Sequence, residues 1–160
     1  MTSRTIRPAT PEDVPRLLEL IRALAEYERE PDAVEATTDG LHEVFFGDHP
    51  QVFAHVAEQD DRVVGMAIWF VTFSTWTGAH GIWLEDLFVE PSSRGGGHGK
   101  ALLAELARVC VERGYRRLEW TVLDWNAPSI AFYRSLGAVP MDEWTTNRLT
   151  GESLLALAGV

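Results

Sequence analysis

The stretch that decides the fold is EDLFVEPSSRGGGHGKALL, residues 85–103, in which two hydrophobic patterns meet at a glycine-rich segment. The residues before Pro91 have the composition of a strand, and those from Lys100 onward have the spacing of an amphipathic helix. Between them, four of the five residues from 95 to 99 are glycine. Where a strand leads into a helix, the free backbone N–H groups and the helix dipole favour an anion, most often phosphate. The stretch therefore predicts an anion-binding loop in an α/β fold.

Working outward from this loop, the apolar spacing alternates between the two regular periods. Period-two alternation predicts strands in TIRPAT, from Gln51, over residues 63–73, in IWLEDLFVE and in RRLEWTVLDW. The segment EQDDR predicts a turn that joins the second and third of these strands as a hairpin. Spacing of three and four residues predicts helices after Thr10, near Thr37 or Thr38, from the loop to Gly114, and in NAPSIAFYRSLG. The helix after the loop is expected to bury one apolar stripe, formed by Leu102, Leu103, Leu106, Cys110 and Val111. A last strand, or a turn with a helical end, is expected in NRLTGESLLALA. The order βααβββαβαβ predicts a single domain over residues 1–160, with one mixed α/β sheet and helices on both faces.

Composition excludes several classes of function. A formal net charge of −10 argues against sequence-independent nucleic-acid binding and favours a cationic partner. The single cysteine, Cys110, has no partner for an internal disulfide, and neither a signal peptide nor a membrane-spanning run is recognisable, so we expect a cytoplasmic protein that does not enter the membrane. The histidines lack the spacing of metal ligands, so no metal is expected.

The glycine spacing distinguishes between phosphate-binding loops. A Walker A loop would need glycine at Arg94 and serine or threonine at Ala101, and no G-x-G-x-x-G phase fits either. The spacing that fits is Arg94-x-x-Gly97-x-Gly99. With LEDLFVEP before it and NAPSIAFYRSLGA after it, the chain resembles the GNAT family of acetyl-CoA-dependent N-acetyltransferases over nearly its whole length. The resemblance implies the GNAT fold, with a mostly antiparallel central sheet, and acetyl-CoA as co-substrate.

The resemblance also assigns the coenzyme site. Backbone amides of the loop would wrap the pyrophosphate, and the strand before it would pair with the pantetheine arm. The positions implied are Leu87, Phe88, Val89, Arg94, Gly95, Gly96, Gly97, His98, Gly99, Lys100, Asn126, Ala127, Pro128 and Ser129. His98 departs from the aliphatic residue usual in the family, and an imidazole packed under the loop would make coenzyme binding pH-sensitive.

Two residues are expected to carry the chemistry. An alkyl ammonium with a pKa of about 10.4 needs a base before it can attack a thioester. Regular pleating of GIWLEDLFV places Glu85 among large apolar neighbours and Asp86 on the other face, so desolvation would raise the pKa of Glu85. The resemblance implies that Glu85 contacts the acceptor, through water, and that Tyr133 donates a proton to the coenzyme sulfur. Without it, Glu85 would be read as a solvated strand carboxylate and Tyr133 as a packed aromatic.

The acceptor is expected to be a small primary amine. LAEYERE, FSTWTGA, WLEDLFV and VLDWN resemble the diamine acetyltransferase branch, which includes the spermidine/spermine and thialysine enzymes. That branch implies a homodimer and acceptor-lining residues at Tyr27, Glu28, Glu85, Glu119, Trp120 and Thr121. The alternatives are acetylation of a protein or peptide amine, a non-catalytic acyl-CoA sensor, and a nucleotide-binding module.

Overall fold

This computed structural model describes residues 3–160, so residues 1 and 2 of the predicted domain lie outside the described residues. The described residues form both strands and helices. The elements are β1 Arg4–Pro8, α1 Val14–Tyr27, α2 Thr38–Phe46, β2 Val52–Gln59, β3 Arg62–Ser74, β4 Ala79–Val89, α3 His98–Arg113, β5 Leu118–Glu119, α4 Ala127–Ser135 and α5 Gly151–Ala158. In these residues the strands form one five-stranded sheet in the order β1-β2-β3-β4-β5. Neighbours are antiparallel except β4 and β5, which run parallel, so the predicted mixed, mostly antiparallel sheet is confirmed.

Contacts divide the chain into two compact units. The first ends at Thr121 and contains the sheet and helices α1 to α3, and the second runs from Val122 to Val160 and contains α4 and α5. The single domain over residues 1–160 stays a prediction. Every helix in residues 3–160 is too short or too polar to cross a bilayer.

The β2–β3 hairpin shows how local sequence fixes the sheet. Asp60 and Asp61 join the two strands with φ angles of 50° and 62°. Left-handed residues at both central positions match the twist of a two-residue hairpin, and aspartate tolerates that region better than most residues. The predicted turn in EQDDR is therefore confirmed, and it sets the pairing of Gln59 with Arg62.

Helices cover both faces of the sheet, as predicted. On one face Leu17 and Leu20 of α1 belong to the buried cluster that includes Met66 and Ile68 of β3. Because side chains alternate along a strand, Trp69, the residue after Ile68, projects from the other face of the sheet. There the guanidinium of Arg113 of α3 lies 5.7 Å from the centre of the Trp69 ring. Apolar burial on the two faces holds the sheet in place between α1 and α3.

Two predicted elements differ from the structure. In NRLTGESLLALA the helical end is confirmed as α5 and the alternative, a last strand, is wrong, because Leu154, Leu155 and Ala158 recur at helical spacing after Gly151. The predicted strand over residues 116–125 is reduced to Leu118–Glu119, since it pairs with β4 at only two positions. Val111, predicted on the apolar stripe of α3, is 80% exposed, whereas Cys110 is buried as expected.

Candidate active site

The glycine loop lies between the end of β4 and the start of α3. A 3₁₀ turn at Pro91–Ser93 leads into it, and Gly97 is the N-cap of α3. Gly95 and Gly97 have φ angles of 84° and 77°, in the left-handed region that L-residues with a Cβ resist. The positive φ angles explain glycine at these two positions. The loop thus lies at the amino end of the 16-residue helix α3, where the helix dipole and the free N–H groups would stabilise an anion.

Arg94 connects the loop to helix α1. Its Nε donates to the carbonyl of Val89 at 3.0 Å. Its guanidinium lies 5.1 Å from the centre of the Tyr27 ring and 5.5 Å from that of Phe88. A cation over aromatic faces is attracted by their quadrupoles, so Arg94 holds the end of α1 beside the loop. Two predicted regions, the coenzyme loop and the acceptor side at Tyr27, are therefore adjacent.

The end of β4 has one edge without a strand partner in the described sheet. β5 pairs with β4 only at Ile82 and Trp83, whereas β3 pairs along the length of β4 as far as Val89. From Leu87 to Val89, the edge of β4 on the side opposite to β3 thus has no neighbouring strand in residues 3–160, and one of its groups, the Val89 carbonyl, accepts from Nε of Arg94. Such an edge accepts an extended ligand that carries amides, in the way that a peptide adds to a sheet.

A β-bulge at Glu85 changes which side chains share a face. Ile68 pairs with Asp86 and Trp69 pairs with Leu84, so Glu85 is the extra residue in β4. Ile68 belongs to the cluster around α1, and Asp86, as its partner, lies on the α1 side of the sheet. The prediction that Glu85 and Asp86 occupy opposite faces is wrong, because regular pleating does not continue through a bulge.

Three carboxylates meet at this bulge. Glu28 follows the last residue of α1, and its pKa is raised by burial and by the charge of Glu85. Asp86 is half-buried, and its pKa is raised to about 6, first by desolvation and then by Glu85 and Glu28. Among residues 3–160, no group of three or more His, Cys, Asp or Glu side chains could hold a metal ion. The three acids form an electronegative patch that would attract a cation.

Glu85 itself is exposed rather than enclosed by apolar side chains. One of its carboxylate oxygens accepts a hydrogen bond from the indole N–H of Trp83 at 3.0 Å. The prediction that Glu85 is buried among apolar neighbours is wrong, because its side chain is exposed at the bulge, and Asp86 is the desolvated acid. A catalytic role of Glu85 stays a prediction.

The other predicted acceptor residues of the first unit lie at β5 and just beyond it. Glu119 pairs with Trp83, and paired residues of neighbouring strands project to the same face. Glu119 thus lies on the α1 side of the sheet. Trp120 and Thr121 follow it, with Trp120 half-buried and Thr121 exposed.

The remaining predicted residues belong to the second unit. Asn126 caps α4, its side-chain oxygen accepting from the Ser129 N–H at 3.4 Å. Ala127 and Pro128 are the first two residues of the helix, where proline is well tolerated. Tyr133 lies in its second turn, with its ring centre 5.5 Å from that of Phe132. The predicted helix is confirmed, whereas the roles of these residues stay predictions.

Sequence reasoning missed three residues at this site, namely Asp86, Arg4 and Gln59. Arg4 donates from Nη1 to the carbonyl of Gly96 at 2.9 Å, and Gln59 lies against His98. The one signal available for Asp86 was its place beside Glu85 in the LED triplet. Nothing near Arg4 or Gln59 in the sequence indicates that they reach a loop about 40 to 90 residues away.

Comparison with known proteins gives consistent results. Residues 15–138 match the acetyltransferase (GNAT) family. The chain is 36% identical to the thialysine N-epsilon-acetyltransferase of Sus scrofa, over 99% of both chains, and 37% identical to that of Bos taurus, over 96% of both. Among solved structures, an integron cassette protein from the mobile metagenome of V. cholerae is similar, with a TM-score of 0.82, 28% identity and 99% of both chains covered.

Proposed function

The chain belongs to the acetyltransferase (GNAT) family, and on that premise we propose that it transfers the acetyl group of acetyl-CoA to a primary amine of a small molecule. The observation that carries the proposal is the patch that Glu28, at the end of α1, forms with Glu85 and Asp86 of β4, the strand that leads into the glycine loop. A cationic amine at this patch and an anionic coenzyme at the loop would be held on one strand, one at each end of a short stretch of backbone.

The residues present fit the coenzyme. Its diphosphate would lie at the amino end of α3, against the amides of Gly95, Gly96 and Gly97, and its pantetheine arm along the open edge of β4. A Cβ added to Gly97 would lie 2.9 Å from Nη1 of Arg4 and would displace that guanidinium, and the φ angle of 77° disfavours any side chain there. Acetyl-CoA, once bound, supplies a thioester whose carbonyl the amine attacks.

The acids would have two tasks. Glu28 and Asp86 would stabilise the bound ammonium ion, and its positive charge would in turn lower the pKa of Asp86 from about 6. Glu85, which is exposed, would take the proton of that ammonium ion through a water molecule. Tyr133 would return a proton to the coenzyme sulfur as the thiol departs. Supporting these assignments are the position of Glu85 at the bulge and the agreement of Tyr133 with the family pattern.

A lysine analogue or a short diamine is the proposed acceptor. Two relatives that cover nearly the whole chain are named for acetylation of thialysine, an amino acid with one side-chain amine. Three acids at one place suit a single ammonium group, whereas a long polyamine needs acids along its length. We further propose that the protein is a cytoplasmic homodimer, which analytical ultracentrifugation would test.

The test is the release of thiol from acetyl-CoA in the presence of a panel of amines. The panel contains thialysine, lysine, putrescine, spermidine and a lysine-containing peptide, and mass spectrometry locates the acetyl group on the product. We expect the highest kcat/KM with thialysine or a diamine, and a loss of activity in Glu85→Gln, with Asp48→Asn at an exposed loop position as control. Coenzyme binding without turnover on any amine would refute the proposal in favour of a sensor, and turnover on the peptide alone would refute the small-molecule acceptor.

A further inference from the structure

His98 lies directly beneath the glycine loop. It is the first residue of α3 and is only 4% exposed. A Cβ added to Gly96 would lie 3.2 Å from Nε2 and 3.3 Å from Cδ2 of the imidazole, so the loop backbone rests on the edge of the ring. Among the described contacts of the loop glycines, one other ionisable side chain comes this close, namely Arg4, whose Nη1 would lie 2.9 Å from a Cβ added to Gly97.

Hydrogen bonds fix which nitrogen of His98 carries the proton. Nε2 lies 3.0 Å from the amide oxygen of Gln59, which only accepts, so Nε2 donates and Nδ1 is the unprotonated nitrogen. Nδ1 is buried and has no hydrogen-bond partner within residues 3–160. A second proton on this imidazole would therefore go to Nδ1, at a position that offers it no compensating contact in the free protein.

The charges around His98 oppose that second proton. Arg4 pairs with Gln59 across the β1–β2 ladder, and its guanidinium donates to the carbonyl of Gly96, the residue that contacts the imidazole. From β2 the neighbour is the neutral Gln59, and on α3 itself the next charged side chain is the exposed Lys100. The positive end of the α3 dipole acts in the same direction. Burial, followed by Arg4, lowers the pKa of His98.

An anion in the loop counteracts two of these effects, the charge of Arg4 and the helix dipole, while the burial of the imidazole remains. A diphosphate carries negative charge to the same helix end, next to Gly96, and it screens both Arg4 and the dipole. We propose that His98 is a proton-binding residue of the coenzyme cradle, neutral in the free protein and protonated at Nδ1, by a proton from solvent, when a diphosphate is bound. This inference rests on the proposed function, because it takes the loop to be the site of the coenzyme diphosphate.

The consequence is that coenzyme binding and protonation favour each other. Because linkage is reciprocal, a ligand that takes up a proton binds more tightly at lower pH. An uptake of about 0.5 proton would weaken binding about tenfold between pH 6 and pH 8. A leucine at this position, like the aliphatic residue that the family pattern favours, would bind the coenzyme without this dependence.

Isothermal titration calorimetry with dephospho-CoA provides the test. This ligand keeps the diphosphate but lacks the 3′-phosphate, a monoester that would itself titrate near pH 6. Titrations at pH 7 in buffers of different ionisation enthalpy count the protons taken up per ligand. We expect about 0.5 proton for the unaltered protein and close to none for His98→Leu. His42→Gln, at an exposed position in α2, is the control and should leave the proton count unchanged.

A second measurement does not depend on the variant being folded. The chain has five histidines, and in the unaltered protein labelled at their Cε1 positions, one signal should move to the imidazolium position when dephospho-CoA is added. Binding with no proton uptake, with an uptake that His98→Leu retains, or with no histidine signal moving would overturn this inference and leave the proposed function in place. Failure of both dephospho-CoA and acetyl-CoA to bind would instead overturn the proposed function, and this inference with it.

Discussion

Replacing Asp86 by asparagine should make the protein more stable at neutral pH while weakening its hold on the amine. The pKa of Asp86 is raised from 3.8 to about 6, because burial and the charges of Glu85 and Glu28 all disfavour the ionised form. At about 1.36 kcal/mol per pKa unit, an ionised Asp86 costs the folded state about 3 kcal/mol. Asp86→Asn keeps the shape of the side chain and removes that cost.

The pH dependence of the effect gives it a specific signature. A raised carboxyl pKa means that the folded state binds the proton more tightly, so this contribution to stability is full below about pH 4 and is lost as the pH rises through about 6. Urea unfolding should therefore show equal stabilities for the two proteins at pH 4 and an advantage of about 3 kcal/mol for Asp86→Asn at pH 8. Asp48→Asn serves as the exposed control.

The same variant tests the role of Asp86 in binding. A charge-assisted contact is worth about 1.5–3 kcal/mol, so the kcat/KM for the amine should fall roughly 10- to 100-fold, mainly through KM. A stability difference that is the same at pH 4 and pH 8 would refute the electrostatic reasoning. A gain in stability with an unchanged KM would refute the placement of the amine at this acid.

Three further predictions concern Gly97 in the glycine loop, Asp13 just before α1, and Tyr133, the proposed acid. Gly97→Ala should lower the free energy of unfolding by about 1–2 kcal/mol and weaken coenzyme binding, since the new Cβ meets the guanidinium of Arg4. Gly95→Ala, with open space at its Cβ, should only destabilise the protein. Equal coenzyme affinities of the two variants would contradict this prediction. Although burial alone would raise the pKa of Asp13, hydrogen bonds from Arg7 lower it, so Asp13→Asn should cost about 3 kcal/mol at pH 7 in urea, a cost that fades as the pH falls through the lowered pKa; a cost independent of pH would speak against this. Tyr133→Phe should reduce kcat at least about tenfold and spare the Kd of acetyl-CoA; an unchanged kcat would remove its role as acid.

Much of the fold followed from signals that are local in the chain. The alternation in β2 and β3, the Asp60–Asp61 turn and the helical stripe of α3 each lie within a few residues, and each is confirmed. Gly97 and Gly99 identified the type of loop for the same reason, because the backbone conformation that an anion site requires is set residue by residue. The length of β5 depends on its pairing with β4, and there the predicted strand over residues 116–125 was longer than the observed one.

The sequence by itself determined the loop, the main strands and helices, and the family, because backbone preference and hydrophobic period are properties of neighbouring residues. The tertiary structure alone decided which acid is desolvated. One extra residue in β4 opposite Ile68 and Trp69 moves Asp86 to the side of Glu28, and a bulge arises from pairing rather than from composition. It likewise decided that Arg4 and Gln59, brought together by the β1–β2 register, enclose His98 and the loop, since such contacts exist only once distant strands have paired.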